Sequence, residues 1–272
     1  MNGDLSQLVT LAAYGNAFLA REGADPPELV GHNPMFNFTS LKFVRDPRPH
    51  GDGMRGTLVA ESTAGWYAGL RELGARSIWL VRRGDSTTED MPRHALVAFA
   101  GGGDWHLQVD YRDKSEVWSA NWHFTGKPGA GHWYVTYAAV PLDEVPQAEK
   151  HDLAEVGARL RQALVEIEQL ARANAEEAWA DIFKAARDEL DSHGEGRLPD
   201  MMPGEGYSHA ARRLLSAASR AWVFGGMGSW NDVYFPGEEA RTDYSRLTAQ
   251  LYDAVVTAAV AATNSFERPL WS

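Results

Sequence analysis

Three histidines sit in a stretch whose residue alternation places them together. In Trp105–Tyr111 the odd positions Trp105, Leu107, Val109 and Tyr111 are apolar, and His106, Gln108 and Asp110 alternate with them. A strand points successive side chains to opposite faces, so one face is aromatic and the other polar. The same pattern recurs in Glu116–Phe124, where Trp118, Trp122 and Phe124 oppose Ser119, Asn121 and His123, and in His132–Val140, where Trp133, Val135 and Tyr137 oppose His132, Tyr134 and Thr136. If the hairpin at Arg112–Ser115 is regular, His106 falls opposite Asn121 and Gln108 opposite Ser119. The Thr125–Gly131 connection then brings His123 near His132. His106, His123 and His132 are therefore the candidate acid/base residues, with Gln108, Asn121 and Tyr134 as binding groups beside them. A three-histidine metal site also wants carboxylates to orient the imidazoles, and only Asp110 is near. No metal and no cofactor is assigned.

A second constellation is Phe224-Gly225-Gly226-Met227-Gly228-Ser229-Trp230-Asn231-Asp232. Its glycines permit positive φ and close backbone approach, and Ser229, Asn231 or Asp232 can bond to free amides. As a phosphate cradle it lacks the lysine and the spacing of the nucleotide-binding loop. The expectation is an ordered corner with Trp230 buried; Trp230, Asn231 and Asp232 stand as the binding candidates of this loop. His193 with Glu195 offers an acid/base pair in a glycine-rich loop. There is no G-x-S-x-G, no H-E-x-x-H and no kinase motif set to anchor nucleophilic or metalloprotease chemistry.

The elements that must position these residues read as α+β. A helix over Leu5–Arg21 follows Asp4 as N-cap, and a strand over Phe36–Val44 ends at Asp46-Pro47-Arg48-Pro49 and a glycine-rich loop. Ser62 caps a helix that stops at Gly74 before a strand over Ser77–Arg82. The strands His94–Ala100, Trp105–Tyr111, Glu116–Phe124 and His132–Val140 have short polar connections, which predicts an antiparallel meander of about five or more strands. Beyond Pro141 the chain turns helical: a long helix starts near Gln147 and breaks at Arg172–Glu176, and further helices cover Ser208–Phe224 and Glu238–Asn264. The expected organisation is an α+β region, 1–142, and a helical region, 143–272, sharing one core. The helical layer should cover the aromatic face, burying Trp118, Trp122 and Trp133.

Composition bounds the function. The chain has 272 residues, 26 Lys plus Arg against 37 Asp plus Glu, a formal charge of −11, and no cysteine. Disulfides, iron–sulfur clusters and thiol catalysis are excluded. A charge this negative repels a phosphate backbone, so nucleic acid is not expected as a partner. The apolar run Ala254–Ala262 is too short to span a bilayer. Without a basic leader ahead of the first helix, the expectation is a soluble cytoplasmic protein with no membrane partner. The alanines Ala254, Ala258, Ala259, Ala261 and Ala262 imply a close helix contact, within the subunit or across a homodimer. Two functions fit. One is a noncatalytic acidic protein-binding module, as a toxin-neutralising immunity protein would be, with a basic protein partner. The other is a small-molecule enzyme or ligand-binding protein using the histidine-bearing polar face; concavity there decides between them.

Overall fold

The computed structural model describes all residues of the chain except 32, 38, 52, 83–90, 99–102, 128–130, 142–149, 193–199 and 269–272. The elements are α1 (Gly3–Ala20), β1 (Thr39–His50), β2 (Gly53–Ala60), α2 (Thr63–Glu72), β3 (Ser77–Arg82), α3 (Arg93–Leu96), β4 (Trp105–Asp110), β5 (Ser115–Thr125), β6 (His132–Pro141), α4 (Leu153–Ala173), α5 (Glu177–Asp191), α6 (His209–Arg220) and α7 (Glu238–Thr263). The class is α+β, with a six-stranded sheet in the order β2-β1-β6-β5-β4-β3.

That order corrects the purely antiparallel meander. Strands β3 to β6 do run antiparallel in sequence, but β1 docks parallel to β6, from Thr39 against Trp133 to Arg45 against Ala139. The sheet is mixed. Parallel neighbours require a long crossover, here supplied by everything between β1 and β6, so no local pattern announces the pairing. The strand expected at His94–Ala100 is absent as such: α3 occupies Arg93–Leu96, and residues 99 and 100 lie outside the described set. A short apolar run fits helix or strand equally. The predicted break at Asp46–Pro49 is also corrected, because β1 continues to His50 and the glycine-rich stretch forms β2. The ladder absorbs Asp46 and Pro47 as an irregularity between Arg45 and Arg48, with Asp46 at φ 50°. Beyond Arg45 the strand pairs on one side alone, where a proline is tolerated.

Local signals account for the helix ends. The Ser62 hydroxyl accepts the Gly65 amide at 3.0 Å, and Gly74 takes φ 78° just past α2. For α1 the cap is Asn2, whose side chain accepts the Leu5 amide at 3.1 Å, and not Asp4, which instead accepts the Trp122 indole N–H at 3.0 Å. The long C-terminal helix breaks as expected between α4 and α5, with Ala175 at φ 62°.

The layers differ from the expected two. Helix α1 is buried on all sides: Leu5, Leu8, Val9, Leu11, Ala12 and Ala13 are fully inaccessible. A helix apolar all round belongs inside a core. It packs on β3 and β4, on α2 and on α7, so α1 and α2 cover the aromatic sheet face together with part of the helical region, where α7 reaches β3 and Trp222 packs edge-on against Trp105. Phe43, Trp66 and Tyr137 stack there, with Trp118 edge-on to Phe43 and Trp66. Trp118 is fully buried, Trp122 is half-buried, and Trp133 is 37% exposed at the end of the sheet. Helices α4–α7 pack on one another, with α7 against α1. Ala254, Ala258, Ala259, Ala261 and Ala262 of α7 are buried or half-buried in these contacts within the chain.

Candidate functional site

The polar face lies on the side of the sheet away from α1, and its register fixes where the histidines stand. The β4–β5 hairpin closes with a two-residue turn, Arg112-Asp113, since Tyr111 N donates to Lys114 O at 2.9 Å and Asp110 pairs with Ser115. This turn is tighter than the expected loop, and the pairing slips by two residues. Gln108 faces Val117 rather than Ser119, and His106 meets Ser119, Nδ1 to Oγ at 2.9 Å, instead of Asn121. A two-residue slip preserves the face and changes the neighbours.

The three histidines consequently do not converge. His123 pairs with Tyr134, and His132 with Thr125. His106 stands beside Ser119, four residues along β5 from His123, a separation of about 13 Å at the usual rise per residue. Among the described residues no group of three His, Asp or Glu side chains could hold a metal ion. His132 Nε2 lies 2.8 Å from Ser40 Oγ and its ring packs edge-on to Tyr134. Among the described residues no carboxylate bonds to its other nitrogen, so the pair makes no triad. Gln108 is buried and donates to Asp110 at 2.7 Å. Asp110 also accepts the Trp79 indole at 2.7 Å and the Ser115 hydroxyl at 2.6 Å, so its oxygens are committed to the fold. Asn121 Oδ1 is buried with no hydrogen-bond partner among the described residues.

A cleft forms where the β1–β2 arm bends over this face. Ser40 and His50 are ten residues apart on β1, about 33 Å if the strand were straight, yet both line one hollow. The ladder irregularities at Phe43/Val44 and Arg45/Arg48 bend the arm. As a result β2 touches β5 and β6, which are not its neighbours in the sheet. Gly56 permits the bend: a Cβ there would lie 2.3 Å from the Arg45 carbonyl oxygen. The cleft encloses about 660 Å³. From the sheet come Ser40, Lys42, His123, Thr125, Tyr134 and Thr136; from the arm and its end come His50, Met54, Arg55 and Glu61. Lys42 pairs with Thr136, and Ser40 with Tyr134, across the parallel β1–β6 ladder.

Of the candidates read from the sequence, His123 and Tyr134 line this cleft and His106, Gln108, Asn121 and His132 do not. The sequence reading missed Ser40, Lys42, His50, Arg55 and Glu61. A signal was present: Asp52-Gly53 followed by the β-branched run around Thr57 and Val59 is a hairpin signature.

The glycine loop has a different character. Trp230 is fully buried, donates its indole N–H to Thr248 Oγ1 at 2.9 Å, and packs against Trp179, Phe183, Phe235 and Tyr244. Asn231 clasps His94, with Oδ1 2.9 Å from its Nδ1 and Nδ2 donating to its carbonyl at 2.9 Å. Burial holds the His94 pKa below the ordinary histidine value, against the opposing pull of Asn231. Asp232 accepts the Gly228 amide. These three residues spend their hydrogen bonds on the corner itself. Beside it, Trp179, Ile182, Trp222 and Phe224 line a second hollow of about 620 Å³. His193 and Glu195 lie outside the described residues. No helix among the described residues is long and apolar enough to cross a membrane.

No protein-family model matches the chain, and no curated protein and no solved structure is significantly similar to it.

Proposed function

We propose that the protein binds a small molecule in the cleft between the β1–β2 arm and the polar sheet face. The observation that carries this reading is the concavity: a flat sheet face would suit a macromolecular partner, whereas this face and its own hairpin form a half-open hollow. At about 660 Å³ the hollow falls in the range of small-ligand sites, roughly 300–1,000 Å³, and mixes apolar surface with a few polar groups. The cleft belongs to the alternative weighed from the sequence, with His123 and Tyr134 retained as binding groups and His106 and His132 outside it. The test is ligand-observed NMR against a library of metabolite-sized compounds. Binders should appear with the native protein and vanish with Thr125→Trp, which places an indole in the cleft from an exposed position. A library in which every binder survives that substitution would overturn the reading.

The acidic protein-binding module is the second reading, favoured by one observation on the helical side. Met227 is completely exposed at the tip of the ordered glycine loop, Tyr234 is exposed nearby in sequence, and Ile182 borders the apolar hollow. With a chain charge of −11, the partner that fits is a basic protein presenting an apolar side chain. A toxin-neutralising role is one instance. A complex with such a protein that Met227→Glu and Ile182→Glu leave at full affinity would remove this reading.

A further inference from the structure

We propose that the cleft is specific for an anion: a small organic carboxylate or phosphate whose charged end meets Lys42 and Arg55. The inference rests on the cleft being a ligand site, and it names the chemistry of the ligand. The cleft wall carries two permanent cations, Lys42 and Arg55, and two imidazoles, His50 and His123, against one carboxylate, Glu61. The chain as a whole has the opposite bias, 37 acidic residues to 26 basic. Cations gathered in a concave site of an acidic protein focus a positive field there.

The cations of the cleft differ from two other cations of the sheet, which carboxylates hold. Arg45, on the same strand, is held by both oxygens of Glu116 at 3.2 and 3.1 Å. Arg82 meets Asp104 at 3.4 Å. Lys42 and Arg55 have no ion-pair or hydrogen-bond partner among the described residues. Lys42 is half-buried next to the buried Thr136, and among the described residues no carboxylate pairs with its ammonium. A bound anion would supply the missing partner, because opposite charge within a few ångströms favours the charged form of a cation. Tyr134 and Met54 give the cleft apolar surface for an organic body beside the charged end. An extended polyanion is disfavoured by the chain charge of −11, which repels a long phosphate backbone.

The experiment is a titration followed by the ring resonances of His50 and His123, at constant ionic strength, with three probes: benzoate, its neutral counterpart benzamide, and inorganic phosphate. Benzoate or phosphate should shift both imidazoles saturably while benzamide does not. A response to benzoate alone assigns a carboxylate end, and a response to phosphate alone a phosphate end. The double variant Lys42→Met/Arg55→Met should weaken the anion at least about tenfold while melting like the native protein. Equal binding of benzamide and benzoate would overturn the charge specificity and leave the small-molecule reading standing. No saturable response to either anion, or an unchanged affinity in the double variant, would overturn the anion inference. The small-molecule reading falls separately, by the library screen with Thr125→Trp.

Discussion

Asn16 and Asn264 grip the backbones of Ile78 and Leu80, alternate residues of the edge strand β3. Asn16 Nδ2 donates to Ile78 O at 2.7 Å and its Oδ1 accepts Ile78 N at 2.8 Å; Asn264 does the same to Leu80, both at 2.9 Å. Each side-chain amide stands in for the residue of a missing neighbour strand. One comes from α1 and the other directly follows α7, so the edge is sealed against foreign strands and two helices are pinned to the sheet. Removing one amide orphans a buried N–H and a buried C=O, at about 1–3 kcal/mol each. Asn264→Leu should therefore lower unfolding free energy by about 2–6 kcal/mol, read by urea denaturation. A loss below about 0.5 kcal/mol would mean that other groups satisfy Leu80.

The Trp230 corner predicts a purely structural phenotype. Trp230→Ala removes a ring that touches Trp179, Phe183, Phe235 and Tyr244, and should cost about 3–5 kcal/mol. Below its new melting point, binding in the cleft should be unchanged. A variant that melts normally yet loses a ligand or partner would make this loop a site.

Asp4 sets a pH dependence. Burial raises its carboxyl from 3.8 to about 6, partly offset by the Trp122 hydrogen bond. The folded state then binds the proton more tightly than the unfolded one, so stability from this group is complete below about pH 3.8 and is lost as pH rises through about 6. Asp4→Asn keeps an acceptor for Trp122 and removes the charge. It should match the native protein at about pH 3.5 and exceed it by about 3 kcal/mol at about pH 7.5, in paired melts. A stability difference that is constant over this range would refute the assignment.

His94 works with the opposite sign. Its pKa is lowered by burial, so the unfolded chain takes up the proton first, and its contribution is present above the ordinary value of 6.5 and lost as pH falls below it. Comparing native protein with His94→Gln across this interval should show the native advantage shrinking toward acid. An advantage that grows toward acid would contradict it.

The bend of the arm has its own test. Gly56→Ala forces a Cβ against the Arg45 carbonyl and should displace β2, altering the His50 and His123 resonances and weakening any cleft ligand. Unaltered resonances would show that the arm accommodates the methyl group.

Much of the frame was legible because it is local. The Ser62 cap, the Gly74 stop and the strand at Ser77–Arg82 depend on a few adjacent residues, and alternation assigned the faces of Trp105–Tyr111 correctly. The parallel docking of β1 on β6 depends on contacts distant in sequence and leaves no periodic trace. The β4–β5 register turned on whether two or four residues form the turn, which alternation alone does not decide. At the site, His123 and Tyr134 followed from the sheet pattern. Lys42, His50 and Arg55 did not, because Pro47, Pro49 and the glycines around them resemble a loop until the bulged ladder is seen.

The burial of α1 carries a consequence for synthesis. This helix is translated before every partner that covers it, and the partners arrive far apart: α2 early, β3 and β4 later, α7 last. A nascent chain that has completed β6 can shield one flank of α1, while the flank owed to α7 stays bare. The native state is reached only when α7 closes that flank and Asn264 locks Leu80, so a chain stalled on the ribosome before α7 presents an uncovered apolar helix to whatever chaperone meets it.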